Sequence, residues 1–215
     1  WAAILVLAIV LSYRLTDSIW GPFALPFYLQ ELHYTNDEVA LASKFFGVGM
    51  TMAGIAGAAA LFTFIGRMPT VVLGAALAAA SNLLYADLAL GGAGLDAFGS
   101  ASGFYWLTSQ FGADERLSRL LLAIAGENLS GGIAGAAFVA YLSAITAKSH
   151  AAVQYALLSS LTVLVGPLGR AALGEKIDSS GYAPVFFLTA SIGVIAVVLC
   201  LVETWRQARM TKGET

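Results

Sequence analysis

Six charged side chains interrupt otherwise apolar stretches of this 215-residue sequence: Arg14, Asp17, Lys44, Asp87, Glu127 and Arg170. A charge within the hydrocarbon of a membrane is costly, so such residues usually face the interior of a helix bundle or a watery path. Asp87 and Arg170 lie near the ends of their apolar stretches, where a side chain can reach the interface. The deeper charges are the candidates for binding ions, protons or a charged solute.

The composition agrees with a membrane setting. Asp, Glu, Lys and Arg make up 11% of the chain and hydrophobic residues 59%, whereas a typical soluble domain is about 25% charged. The mean hydropathy is +0.80. A net charge of −2 offers no basic field for nucleic acid, and the single cysteine, Cys200, excludes a disulfide framework within the chain. We therefore predict an all-α integral membrane protein.

Six segments are long enough to cross a bilayer, which takes about 20 mostly apolar residues: 1–29, 38–64, 70–91, 119–145, 153–174 and 183–205. A longer Gly- and Ser-rich gap, 92–118, divides them three and three, as in the inverted repeats of transporters. Its patch Phe104-Tyr105-Trp106 predicts a short helix at the interface. The chain 1–215 is thus expected to form one six-helix bundle.

Basic residues predict the orientation of the bundle. The side holding both termini carries five of them (Arg67, Lys148, Arg206, Arg209, Lys212), and the other side carries three (Arg116, Arg119, Lys176). By the positive-inside rule both termini are cytoplasmic. The sequence opens at Trp1 inside an apolar stretch, which we interpret as a piece of a longer polypeptide.

Arg14 and Asp17 share one face of the first span, three residues apart. They can neutralise each other for insertion, or Arg14 can contact a solute directly. Alternatively, Asp17 can carry a proton whose binding Arg14 controls, because a nearby cation lowers a carboxyl pKa that burial raises.

The same span continues with Pro22 and Pro26, which predict a kink or a break. Broken helices line cavities in transporters. Among the aromatic residues around this break, Tyr13 and Trp20 can stack on a solute, whereas Phe27 and Tyr28 are expected in an interfacial aromatic belt.

Small residues predict close helix packing in the second and fourth spans. Lys44, Gly47, Thr51, Gly54 and Ala58 form one stripe, which directs Lys44 toward partner helices, to an anionic solute or to a carboxylate such as Glu127. Glu127, Gly131 and Gly135 recur every fourth residue, with Asn128 and Gly132 one step around the helix. Glu127 is thus expected on the close-packing face, handling a proton or solute or making a structural hydrogen bond.

The fifth span begins with Gln154 and carries a polar stripe of Tyr155, Ser159 and Thr162. Its serines can equally bond to their own helix backbone. Ser81, Asn82 and Tyr85 of the third span are open to the same two interpretations.

Several of these segments resemble the C-terminal half of AmpG-type muropeptide permeases of the major facilitator superfamily. The shorter ones are Tyr13-Arg14-Leu15-Thr16-Asp17, Pro26-Phe27-Tyr28-Leu29, Lys44 with Gly47, and Ser81-Asn82-Leu83. The most specific are Glu127-Asn128 through Gly135-Ala136-Ala137-Phe138-Val139-Ala140-Tyr141-Leu142-Ser143, and Gln154-Tyr155-Ala156-Leu157-Leu158-Ser159-Ser160-Leu161. In order, they cover nearly the whole chain.

The resemblance implies import of anhydromuropeptides from periplasm to cytoplasm across the bacterial inner membrane. These are disaccharides of N-acetylglucosamine and 1,6-anhydro-N-acetylmuramic acid, with or without peptide, and import is driven by protons for peptidoglycan recycling. For this anionic solute the candidates are Arg14, Lys44, Gln154 and the aromatic residues, with Asn128, Tyr155 and Ser159 beside them. Asp17 and Glu127 are the candidate proton carriers.

The resemblance also implies partners and alternatives. A major facilitator encloses its path between two six-helix halves, so an N-terminal half is expected as partner, besides lipid and protons. Val153 replaces the threonine usual before Gln154, which leaves a facilitator of another solute, such as an acyl-CoA-like molecule or a drug, as the alternative. His33 and His150 fall in loops at opposite faces, so we predict no intramembrane enzyme, no metal site and no cofactor.

Overall fold

The computed structural model describes the backbone of residues 1–146 and 151–213. Within these ranges it describes all side chains except those of Asp17, Ala151, Ala152, Tyr155, 162–168 and 211–213. The predicted site residues Asp17 and Tyr155 are therefore placed by their backbone alone. Lys148, used in the orientation argument, lies outside the described residues.

The first predicted span folds as a series of short helices. α1 (Ala2–Ser12) and α2 (Leu15–Trp20) are followed by a 3₁₀ turn (Gly21–Phe23), α3 (Ala24–Pro26) and a π-helical turn (Phe27–Glu31). The predicted break is confirmed at Pro22, because proline lacks the amide hydrogen of a regular helix. The turn at Tyr13 and Arg14 was not predicted.

The remaining long helices follow the predicted spans closely at their starts. α4 (Asn36–Ala40), a π-helical turn (Leu41–Phe46) and α5 (Gly47–Phe64) run on without a break, and α6 is Arg67–Ala89. α9 (Glu115–Ile145), α10 (Ala151–Ser180) and α11 (Tyr182–Gly213) complete the bundle. Among the described residues, four helices are long and apolar enough to cross a membrane: Asn36–Phe64, Arg67–Ala89, Glu115–Ile145 and Tyr182–Met210. The division into six spans stays a prediction.

The gap at 92–118 contains two short helices, α7 (Ala93–Ala101) and α8 (Phe104–Ser109). The helix predicted at Phe104-Tyr105-Trp106 is confirmed. Asp87 does not merely reach the interface, since its carboxylate accepts the backbone amides of Gly94 (3.0 Å) and Leu95 (2.8 Å) at the start of α7. These two hydrogen bonds attach the start of α7 to the end of α6.

A second contact fastens α7 to α9. Arg119 donates two hydrogen bonds to Asp96, at 2.8 and 2.5 Å, and Tyr105 of α8 donates a third at 2.6 Å. The hydrogen bonds from Arg119 hold the pKa of the Asp96 carboxyl below its usual value. These contacts hold the segment 92–118 against the start of α9.

Arg116 closes the same end of the bundle over the turn that precedes α4. Its guanidinium donates to the carbonyls of Leu32 (3.1 Å) and His33 (2.6 Å) and lies 4.1 Å from the centre of the Tyr34 ring. Tyr34 donates its hydroxyl to the Arg116 carbonyl at 2.7 Å, and burial raises the pKa of Tyr34 to about 12. The contact anchors the chain just after the π-helical turn that holds Tyr28.

Two apolar cores lie at opposite ends of the bundle. α6 packs against α9 and α11, α5 covers another side of α9, and α1 and α2 pack on α10 and α11. One core gathers Trp20, Phe27, Tyr85 and Phe186, and the other gathers Ile9, Tyr13, Phe138 and Tyr141. The polar cavity described below extends along α9 from Glu127 to Ala140, beside the core that holds Phe138 and Tyr141.

α5 and α9 touch where two glycines face each other. A Cβ atom on Gly132 would overlap the Thr51 carbonyl oxygen and lie 3.0 Å from the Gly54 Cα. The close packing predicted for Gly47, Gly54 and Ala58 is confirmed, since all three are buried. The close-packing face predicted for Glu127 and Gly131 is wrong, because a Cβ on Gly131 would meet nothing within 4 Å. The opposing glycine on α5 selects the neighbouring face of α9.

Candidate functional site

A cavity of about 710 Å³ lies among the turn before α2 and helices α5, α6 and α9. Its polar lining comprises Arg14, Thr51, Ser81, Glu127 and Asn128, and its remaining lining is small or apolar: Ile55, Ala78, Gly131, Gly132, Gly135, Ala136, Val139 and Ala140. A cation, a carboxylate and three uncharged polar groups therefore face one space within the membrane-spanning part of the bundle. Such a space suits a polar, charged solute.

Three glycines enlarge the cavity because they have no side chain to fill it. Gly131, Gly132 and Gly135 of α9 are three of its lining residues. A Cβ atom on Gly135 would lie 3.2 Å from Nη1 of Arg14, which means that the guanidinium rests over this glycine. Gly131 and Gly135 were predicted to pack against another helix. Instead, Gly135 makes room for Arg14, and Gly131 leaves space for a solute.

Glu127 is held by a tyrosine pair. Tyr85 of α6 donates a hydrogen bond to Oε2 of Glu127, and its own oxygen lies 2.8 Å from the Tyr28 hydroxyl. Because Tyr85 donates to the carboxylate, Tyr28 is the donor in the second bond. Both tyrosines are buried, at 0% and 5% exposure. A continuous chain of hydroxyls therefore runs from Tyr28 to the carboxylate in the cavity.

Aromatic packing holds Tyr85 in place. Its ring lies 4.8 Å from that of Trp20 and 5.4 Å from that of Phe186, measured between ring centres, and Phe27 also packs in this group. The interfacial belt predicted for Phe27 and Tyr28 is wrong, since both are buried. Their partners come from α6 and α11, which local sequence cannot reveal.

Asn128 joins α9 to α5 at the cavity wall. It accepts a hydrogen bond from the Thr51 hydroxyl at 2.9 Å through Oδ1, and Nδ2 donates to the Ile124 carbonyl at 3.0 Å. Thr51 also lies 3.0 Å from the Gly47 carbonyl. These bonds orient the Asn128 amide, so that its position beside Glu127 is well defined.

The other predicted site residues lie elsewhere. Tyr13 and Trp20, each 3% exposed, belong to the two apolar cores; Tyr13 donates to the Val71 carbonyl at 2.9 Å and stacks on Phe138. Lys44 is exposed on the π-helical turn before α5 and not among the described cavity residues. Gln154 and Ser159 are partly buried on α10, where Ser159 donates to the Ala156 carbonyl. The side chains of Asp17 and Tyr155 lie outside the described set.

Two further polar contacts join helices. Thr189 of α11 donates to Oδ1 of Asn82 at 2.8 Å, which ties α11 to α6. Arg170 of α10 donates to the Ser18 carbonyl at 3.3 and 3.4 Å. Both are structural contacts, and they account for Asn82 and Arg170 without a role in the cavity.

Glu203 was missed in the sequence. It is fully buried on α11, where Arg206 donates to both of its oxygens at 2.6 and 2.7 Å and Gln207 donates at 2.7 Å. Glu203 and Arg206 are three residues apart on one helix, and this spacing predicts an ion pair.

Curated relatives match nearly the whole chain. It is 26% identical over 200 residues to a protein named putative transporter AmpG 4 from Rickettsia felis, covering 93% of the chain and 42% of that relative. It is 28% identical over 202 residues to the anhydromuropeptide permease of Escherichia coli K12, covering 92% of the chain and 36% of that relative. No protein-family profile matches. The chain thus spans about two fifths of the length of these relatives.

The fold and these matches define the class. The chain has an all-α integral membrane fold, in agreement with one six-helix half of a major facilitator superfamily transporter. Its predicted resemblance to AmpG-type permeases is confirmed over nearly its whole length.

Proposed function

We propose that the protein carrying this chain imports anhydromuropeptides into the bacterial cytoplasm by proton symport, for peptidoglycan recycling. The observation that carries this proposal is the cavity that holds Arg14, Glu127 and Asn128 together, in a chain similar to a relative named anhydromuropeptide permease. The inner membrane, with both termini on the cytoplasmic side, is the proposed location.

The solute would bind through groups that match its chemistry. The Arg14 guanidinium suits the carboxylates of a muropeptide, because arginine binds carboxylates with two parallel hydrogen bonds. Thr51, Ser81 and Asn128 offer partners for sugar hydroxyl and acetamido groups. The open surface at Gly131 would let a sugar ring approach the helix backbone of α9.

The proton would bind at Glu127. Tyr85 stabilises the ionised carboxylate by donating to it, and Tyr28 donates to Tyr85. Hydroxyls joined in this way can pass a proton along the chain, with each oxygen accepting one proton as it releases another. Asp17, which follows Arg14 by three residues on α2, remains a second proposed proton carrier.

A second helix bundle would complete the transport path. The curated relatives are more than twice as long as the stretch that this chain matches, and a major facilitator needs two halves around its centre. We propose that the exposed Lys44 faces the path or that second half. Gln154, Tyr155 and Ser159 on α10 are proposed to contribute in the same way.

Uptake by cells tests the proposed solute. Cells lacking their own permease would express the protein carrying this chain, and accumulation of labelled anhydromuropeptide would be measured with and without a protonophore. We expect accumulation that the protonophore abolishes, and roughly tenfold to a hundredfold slower uptake for Arg14→Gln, since one charged hydrogen bond contributes about 1.5–3 kcal/mol.

Arg170→Gln is the matched control, because Arg170 is exposed and contacts the Ser18 carbonyl outside the cavity. Its uptake should equal that of the parent. Competition by unlabelled anhydromuropeptide, and not by an acyl-CoA or a drug, separates the proposed solute from the alternative ones. No accumulation by protein that is present in the membrane would refute the muropeptide proposal.

A further inference from the structure

A second cavity, of about 410 Å³, lies between the ends of α6, α9 and α11. Its lining is Arg67, Tyr141, Ala144, Ile145, Arg206, Gln207 and Met210. Tyr141 follows Glu127 by 14 residues on the continuous helix α9, which places it about 21 Å further along at 1.5 Å per residue. The described linings of the two cavities share no residue, so this cavity is distinct from the one that holds Arg14 and Glu127.

The charges around the second cavity leave one cation uncompensated. Glu203 is buried, and Arg206 neutralises it through two hydrogen bonds. Arg67, at the start of α6, is an exposed lining residue and makes no ion pair with any residue that the structure describes. The described lining thus has a net positive charge, and an anion entering it meets the Arg67 guanidinium.

The Tyr141 hydroxyl is buried beside this cavity, and it has no hydrogen-bond partner among the described residues. Tyr141 is 0% exposed, and within the described part of the chain its hydroxyl is the one buried side-chain oxygen or nitrogen without a hydrogen-bond partner. A buried polar group without a partner costs about 1–3 kcal/mol. A ligand that accepts a hydrogen bond would remove that cost.

The surroundings place the cavity near a polar–apolar boundary. Trp205 is 53% exposed, and Arg209 lies 3.7 Å from the centre of its ring. Tryptophan and basic residues concentrate where lipid headgroups meet hydrocarbon. Ala144, Ile145 and Met210 give the cavity apolar walls beside its polar groups.

We propose that this cavity binds a phosphate group, with Arg67 as its counter-ion and the Tyr141 hydroxyl as a hydrogen-bond donor. Phosphate has several acceptor oxygens, so it can accept hydrogen bonds from both groups, and its negative charge is complementary to the positive charge of the lining. An anionic phospholipid headgroup and free inorganic phosphate share this chemistry. The apolar walls are complementary to the glycerol and acyl carbons of the lipid.

Ligand-induced thermal stabilisation of the detergent-purified protein carrying this chain tests the site. Phosphatidylglycerol, phosphatidylcholine and inorganic phosphate would be titrated separately while the melting temperature is recorded. We expect a saturable rise with phosphatidylglycerol that exceeds the rise with phosphatidylcholine. Saturation by inorganic phosphate would assign the site to the free anion instead, with the same residues.

Variants decide whether these residues form the site. Arg67→Gln should weaken the apparent affinity for the stabilising ligand about tenfold, and Tyr141→Phe by about threefold to tenfold. Arg209→Gln is the matched control, because Arg209 belongs to the same end of α11 but not to the described lining. It should bind as the parent does.

Tyr141→Phe also separates a loss of ligand binding from a loss of folding stability. Without ligand it should melt at or above the temperature of the parent, because it removes a buried hydroxyl that has no partner. Weaker ligand stabilisation with intact basal stability would support the site. Equal ligand affinity in the parent, Arg67→Gln and Tyr141→Phe would overturn it, as would equal stabilisation by both lipids with none by phosphate.

Discussion

At the scale of single residues, the proposed proton site depends on the hydrogen bond that Glu127 accepts from Tyr85. Its carboxylate lines the cavity with Arg14, and its described hydrogen-bond donor, Tyr85, comes from a helix that packs on α9. Tyr28 extends the contact through a second buried hydroxyl. The carboxylate thus belongs both to the cavity and to a buried hydrogen-bond chain, and the proposed proton coupling depends on this arrangement.

Replacing Tyr85 by phenylalanine tests this residue-scale claim. Tyr85→Phe keeps the ring that packs against Trp20 and Phe186 but removes the hydroxyl that donates to Glu127. We expect roughly tenfold to a hundredfold slower proton-driven uptake of labelled anhydromuropeptide, since a hydrogen bond to a charged group contributes about 1.5–3 kcal/mol. Amounts of protein in the membrane should match the parent.

Tyr182→Phe provides the matched control for this measurement. Tyr182 packs on Phe27 in the same aromatic group, with ring centres 4.8 Å apart, but it has no described hydrogen bond to Glu127. Its uptake should be normal. If Tyr85→Phe and Tyr182→Phe transport equally well, the hydroxyl chain has no part in coupling.

At the scale of helices, α9 presents two neighbouring glycine faces with different uses. Gly132 meets Gly54 of α5 in close packing, whereas Gly131 faces open space in the cavity. The sequence pattern is similar for both, because Gly131 is followed four residues later by Gly135 and Gly132 by the equally small Ala136. The face with Gly132 packs against α5 because Gly54 lies opposite it.

Single alanine substitutions distinguish the two faces. Gly132→Ala places a Cβ against the Thr51 carbonyl, so it should destabilise the protein by about 1–3 kcal/mol, as overpacking does. Gly131→Ala meets nothing and should leave stability equal or higher, because alanine favours a helix by about 1 kcal/mol over glycine. Melting curves of the purified proteins measure both, and equal melting temperatures would contradict the assignment of faces.

Element-scale features were largely predictable from the sequence. Apolar length located the long helices, Pro22 marked the break in the first span, and Phe104-Tyr105-Trp106 marked α8. Contacts between distant residues were not predictable. Tyr28 and Tyr85 are 57 residues apart and Tyr85 and Glu127 are 42 apart, so their meeting depends on packing among helices. For the same reason, the pattern alone placed Tyr28 wrongly at the membrane interface.

At the scale of the whole molecule, the bundle combines two apolar cores with a polar cavity along α9. The cores bury Trp20, Tyr85 and Phe186 toward one end and Ile9, Phe138 and Tyr141 toward the other. The chain spans about two fifths of its curated relatives, and the proposed path would lie between this bundle and a second one. On this account, Arg14 and Glu127 are the contributions of this chain to the shared path.

Uptake by proteoliposomes tests directly whether solute entry is coupled to protons through Glu127. The protein carrying this chain would be reconstituted, an inward proton gradient imposed, and entry of labelled anhydromuropeptide measured together with the internal pH. The account predicts that the gradient drives accumulation and that solute entry acidifies the interior. Glu127→Gln should abolish gradient-driven accumulation but retain exchange of labelled for unlabelled solute. Unchanged accumulation by Glu127→Gln, or no anhydromuropeptide uptake by correctly inserted protein, would contradict it.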